Sequence, residues 1–226
     1  MKSQLQRASL AVASLLLVFG ATTAQAVIGS IVASKHDFSA TGPSATYKGT
    51  STQVCVYCHA PHNTGATLLW NRTANTATYT LYNATISSTM NATVGQPGAV
   101  SKLCLSCHDG AVAIDSFGGA TGTKLVTGTP NFGTSLSNDH PIGFPYNAAL
   151  VTADPGLRAV STAATIGAGN LGTIESKMLF GATGAATVEC ASCHDVHNST
   201  SGTAVEAKLL RISTANSALC TTCHIK

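Results

Sequence analysis

The chain has 226 residues, 44% of them hydrophobic but only 5% aromatic and 9% charged, and carries a formal net charge of +3. So small a charge excludes the basic footprint of a nucleic-acid or anionic-membrane binder. The scarcity of aromatic side chains, set among long Thr, Ala, Gly and Ser tracts, leaves too little apolar bulk for a conventional core unless a cofactor fills it.

The first predicted element is a leader. Lys2 and Arg7 precede an apolar run from Ala8 to Gly20, and Ala24-Gln25-Ala26 ends it in the manner of a secretory signal peptide cleaved before Val27. The run is too short to span a bilayer comfortably, and no later segment is apolar for long enough. Residues 1–26 are therefore read as a signal peptide and 27–226 as one exported mature domain without a membrane span. The leader takes two of the twelve basic residues and none of the nine acidic ones, so the mature chain is close to neutral at +1.

Beyond His36 the mature chain reaches Cys55, Cys58 and His59, the first of four Cys-x-x-Cys-His pentapeptides. The others are Cys104, Cys107 and His108; Cys190, Cys193 and His194; and Cys220, Cys223 and His224. All eight cysteines are used, so none remains for a disulfide. The pentapeptide is the attachment signature of c-type haem. Residues three and four apart share one face of a helical turn, so two thiols can add to the vinyl groups on one edge of a macrocycle while the histidine turns under the iron. Structural zinc and thiol redox sites also use Cys-x-x-Cys, but they require neither a histidine after every pair nor an exported chain. The pattern predicts four covalently attached haem c groups, each with iron, and four proximal ligands: His59, His108, His194 and His224.

Four histidines lie outside the motifs, namely His36, His62, His140 and His197, and four irons need four further ligands. Met90 and Met178 are the only methionines beyond the leader, so a mixed His/Met set would serve at most two sites. Bis-histidine ligation throughout is the simplest expectation, with low potentials and closed irons. His62 and His197 each follow a proximal histidine by three residues, a separation of about 5–6 Å at Cβ. Neither can grip the opposite face of its own neighbour's porphyrin, so each is expected to reach an adjacent haem; by proximity His62 would serve the second and His197 the fourth. His140 stands in a turn held by Pro141 and Gly143.

Between the motifs regular structure should be sparse. Helical turns are expected at each pentapeptide, a short strand over Ala77–Tyr82, and a short helix over Val205–Ser213. Residues 109–189 hold no motif and are rich in turn signals; their expected role is to shield the haems and supply His140. A weak internal repeat pairs residues 55–63 and 103–108 with 190–198 and 219–224, which suggests two haem pairs, at 55–108 and 190–224. The predicted fold class is a multihaem cytochrome c, mostly coil with few short helices and short strands wrapped around a stack of four haems, and unfolded without them.

The segments around His59 and His62, Leu69-Trp70-Asn71-Arg72, Leu103 to Gly110, Asp139 to Phe144 and Cys190 to Asn198 resemble the doubled-motif multihaem cytochromes. Among these the chain most resembles the OmcE-type tetrahaem cytochromes, extracellular proteins that polymerise into conducting filaments. The resemblance implies a continuous stack of bis-histidine haems, a loop-dominated fold, and one iron per subunit ligated by a histidine of the next. Carried to this chain, His36 is the expected cross-subunit ligand. The 19 residues from His36 to Cys55 reach about 60 Å when extended, so ligation within the chain is open as well. The expected function is extracellular, non-enzymatic electron transfer between redox partner cytochromes and extracellular acceptors. A monomeric periplasmic shuttle is the alternative, followed by a multihaem reductase with one open iron.

Overall fold

The computed structural model describes residues 31–60, 69–73, 75–167, 170–199 and 208–225. The leader, His62 and the start of the predicted 205–213 helix lie outside the described residues.

Most of the described chain is coil and turn, as the composition predicts. Each motif forms a helical turn: a 3₁₀ turn at Cys55–Tyr57, the last turn of α1 (Ala99–His108), α4 (Cys190–Cys193) and the end of α5 (Ala218–Cys223). Two further helices, α2 (Ala148–Ala153) and α3 (Ile174–Met178), are capped by Asn147 and Thr173, whose side chains accept from Leu150 N–H and Ser176 N–H. The strands are equally short. β1 (Thr80–Leu81) pairs in parallel with β2 (Ser135–Leu136), while β3 (Phe144–Pro145) and β6 (Thr187–Val188), and β4 (Ala163–Ile166) and β5 (Asn170–Thr173), pair antiparallel.

The strand predicted over Ala77–Tyr82 is real only at Thr80–Leu81, because flanking residues engage side chains: Ala77 N–H donates to Asn75 and Tyr79 N–H to Gln96. Where the predicted Val205–Ser213 helix is described, it is not helical. Leu209 has φ 54° and Leu210 bridges to His194, so tertiary pairing overrides local periodicity.

Residues 109–189 do more than shield. Phe144, Tyr146, Leu150, Ala164, Ile166, Ile174, Met178 and Val188 form a packed cluster. Met178, one of the two methionine candidates for an axial position, is thus a core residue, 2% exposed. A second cluster joins Phe38, Tyr57, Ile114 and Val126 beside Cys58 and Cys107, and a third joins Tyr79, Leu105 and Leu136. The motifs lie at the edges of these clusters and between them.

Directly after His108, buried Asp109 accepts from the Tyr79 hydroxyl at 2.7 Å, Asn75 Nδ2 at 2.8 Å and Ala111 N–H at 2.8 Å. Tyr79→Phe leaves a buried carboxylate short of a donor. It is expected to cost about 1–2 kcal/mol, read as a lower denaturant midpoint at unchanged haem content.

Candidate functional site

Three of the four motifs are held by one backbone device. After the first, Ala60 N–H donates to Leu69 O at 2.9 Å and Asn71 N–H to Cys58 O at 2.9 Å, with a bridge between His59 and Trp70. After the third, Asp195 N–H donates to Leu209 O at 2.6 Å and Arg211 N–H to Cys193 O at 2.8 Å, with a bridge between His194 and Leu210. At the fourth, Ile225 N–H donates to Gly156 O at 2.7 Å and Arg158 N–H to Cys223 O at 2.8 Å, with His224 bridged to Leu157. Leu69 and Leu209 even share a φ of 54°. The likeness of the first and third motifs is therefore structural as well as sequential, while the fourth shares this backbone clasp and the second does not. The return segments bring arginines onto motif carbonyls: Arg72 donates to Tyr57 O at 3.1 Å and Arg158 Nε to Thr221 O at 2.7 Å.

Two motif histidines, His108 and His194, are oriented by their outer nitrogens. His108 Nδ1 hydrogen-bonds Pro130 O at 2.7 Å and His194 Nδ1 hydrogen-bonds Lys208 O at 2.8 Å. A carbonyl only accepts, so each Nδ1 carries the proton and Nε2 keeps its lone pair, the tautomer of a metal-binding imidazole. His140 Nδ1 is likewise 3.0 Å from Pro141 O.

The remaining histidines converge on these rings. His197 lies 6.0 Å from His59 between centroids, with planes only 19° apart. His36 lies 5.9 Å from His108, and His140 lies 6.4 Å from His224. With metal–imidazole bonds of about 2 Å, two rings facing one ion across its axis have centroids about 6 Å apart. The geometry thus brings His197 to the first motif, whereas proximity in sequence had pointed to the fourth; the turn after α4 directs it away from α5. His36 is placed beside a histidine of its own chain. The fourth spare histidine, His62, lies outside the described residues.

His36 fits a ligand's chemistry closely. Burial, then the nearby His108 and His194, lower its pKa to about 4, which keeps the imidazole neutral, as a ligand must be. Its Nδ1 is buried without a hydrogen-bond partner, a polar atom left for something the polypeptide does not supply. Two aspartates that sequence reasoning missed hold the loops concerned. Asp37 accepts from Ala33 N–H at 2.9 Å and the Ser39 hydroxyl at 2.6 Å, fixing the turn of His36. Asp195 accepts from His197 N–H at 3.0 Å and Ser199 N–H at 2.8 Å, fixing the turn of His197. Only their positions beside a histidine, in His-Asp and His-Asp-x-His, hinted at these roles.

The thiols show how the motifs follow one another. Cys58 and Cys107 border the same apolar cluster, and burial pushes Cys58 up to about 11 against the pull of Arg72. A hydrogen bond between Cys104 and Cys190, together with burial, raises Cys104 well above the thiol range. Burial and the neighbouring Cys193 push Cys223 up to about 11. The first and second motifs thus share an apolar cluster, the second adjoins the third, and a thiol of the third acts electrostatically on one of the fourth. Residues 109–189 loop out and return Cys190 to Cys104.

Each motif therefore offers two thiols on one turn and a histidine beside them. A second imidazole faces that histidine at three of the four. Among the described residues no three His, Cys, Asp or Glu side chains converge to hold a bare metal ion. The donor set suits a planar macrocycle anchored at one edge. A family profile described as the doubled CXXCH motif matches residues 183–226, which hold the third and fourth motifs. No curated protein matches the chain. Over residues 183–226 the chain is similar to the doubled-motif multihaem c-type cytochromes, a likeness that points to covalent haem c and to electron transfer.

Proposed function

We propose that this chain is a multihaem c-type cytochrome that carries four haems and passes electrons along them outside the cytoplasm, as the repeating subunit of a conducting filament. The observation that carries the reading is the set of imidazole pairs: His59 with His197, His108 with His36 and His224 with His140. The remaining iron would take His194 and His62. Haem supplies one-electron Fe(III)/Fe(II) exchange when bound. His108 and His194 would present Nε2 to an iron, each holding its Nδ1–H on a backbone carbonyl, and burial keeps His36 neutral for the same role. No acid, base or nucleophile is required. Partner cytochromes and extracellular acceptors would exchange electrons with the ends of the series.

Filament assembly draws its support from the family resemblance, in which one iron takes a neighbour's histidine. A head-to-tail contact that does not close into a ring propagates indefinitely. With His36 beside His108 in its own chain, the His194 iron is the place for a neighbour's ligand, and His62 is the remaining histidine to provide it. The same placement of His36 favours a second reading, a monomeric tetrahaem shuttle in the periplasm.

Electron microscopy of the native exported protein separates the two, with intact mass giving the haem count. Filaments with a shared ligand and four haems per chain are expected. Discrete particles with every iron ligated within one chain would leave the shuttle, and a persistent high-spin ferric signal would revive the reductase with an open iron.

A further inference from the structure

Glu189 immediately precedes Cys190 and is 2% exposed. Its carboxylate accepts from Gly98 N–H at 3.2 Å, from the Thr187 hydroxyl at 2.7 Å and from the Ser101 hydroxyl. Ser101 Oγ in turn accepts from Cys190 N–H at 2.9 Å, so its own proton points to the carboxylate. A Cβ at position 98 would stand 2.4 Å from the Glu189 Oε1, so only glycine leaves room for the acid. Gly98 is the N-cap of α1 and has no capping side chain of its own. Glu189 is also the N-cap of α4, in a reciprocal capping box with Ser192.

One buried carboxylate therefore sits between the helices that carry the second and third motifs. Each of these contacts donates to it, the pattern of an anion, and among the described residues no lysine, arginine or histidine forms an ion pair with it. Negative charge is favoured at a helix N-terminus, and here the charge is not cancelled by a neighbouring cation.

We propose that Glu189 is a fixed negative charge that lowers the potentials of the second and third haems together. The proposal rests on the reading of Cys104, Cys107, Cys190 and Cys193 as haem attachments. Reduction adds one electron to the iron and removes one positive charge, so a nearby anion stabilises the ferric form. At roughly 10 Å and an effective dielectric near 20, one charge is worth about tenfold in such an equilibrium. Burial and second-shell hydrogen bonding are recognised levers on haem potential. Glu189 acts on two sites at once because Cys104 and Cys190 adjoin.

The test is a spectroelectrochemical titration of the full-length holoprotein and its Glu189→Gln and Glu189→Asp variants. Glutamine keeps the shape: its oxygen accepts from Gly98 and Ser101, and its amide donates to a rotated Thr187 hydroxyl. In Glu189→Gln two of the four haems are expected to rise in potential, with about a tenfold fall in their Fe(III)/Fe(II) ratio at fixed potential, which is about 59 mV for one electron, while the other two move less. Glu189→Asp keeps the charge and is expected to leave the potentials near those of the parent. Four unchanged potentials in Glu189→Gln, a uniform shift of all four, or an equal shift in Glu189→Asp would overturn the electrostatic role. Absence of covalent haem from the parent protein would instead sink the reading of the motifs.

Discussion

A chain lacking the two thiols of the third motif, Cys190→Ser with Cys193→Ser, is expected not to accumulate as a folded protein. Ile142 packs against both the first and the third apolar cluster, and the second motif links the third to the second, giving Leu105 to one and Cys107 to the other. Cys104 adjoins Cys190, and Cys223 lies beside Cys193, so the third site is where the earlier and later sites meet. Losing the group anchored there should cost on the order of 5 kcal/mol or more, comparable to a structural cofactor's contribution to folding, against total stabilities of roughly 5–15 kcal/mol. Haem staining, intact mass and limited proteolysis of the exported fraction check this. A soluble protein with one haem fewer and an unchanged unfolding midpoint would show that the polypeptide folds without that staple.

Replacement of His197 by alanine should open one iron, and that iron should be the one at the first motif. The ferric spectrum is expected to gain a high-spin component, and the reduced protein should bind about one carbon monoxide per chain where the parent binds none. The assignment is tested by combination, because substitutions on one site do not add. His197→Ala with His59→Ala should affect a single haem, whereas His197→Ala with His224→Ala should affect two. The reverse result would return His197 to the fourth site, where sequence proximity had put it.

That reversal shows what a sequence does and does not disclose here. The four Cys-x-x-Cys-His motifs were legible because the chemistry they would serve demands those residue types at that spacing. Which imidazole faces which was not, because His197 turns on Asp195 and meets His59, a residue far away in the chain. Leu209 and Leu210 read as a helix because two apolar residues in a polar run suit either periodicity; their pairing with the third motif decided otherwise. The long stretch before Cys190 looked too poor in aromatic residues for a core, yet small residues such as Ala164 pack closely with Ile166, Ile174 and Met178. Glu189 was invisible altogether, an ordinary acid in an ordinary place until the approach of Gly98 gave it a partner.

The clasp shared by three motifs has a consequence in time. Cys58 meets Asn71, and Cys193 meets Arg211, a short way farther along the chain, so those two clasps can close soon after their motifs emerge during synthesis. Cys223 instead meets Arg158, which lies far upstream and is made first. Loop closure costs more over longer separations, so the last clasp depends on a groove that the preceding chain has already shaped. The fourth site is thus the natural final step of maturation, a latch that shuts only on a chain whose middle has already folded.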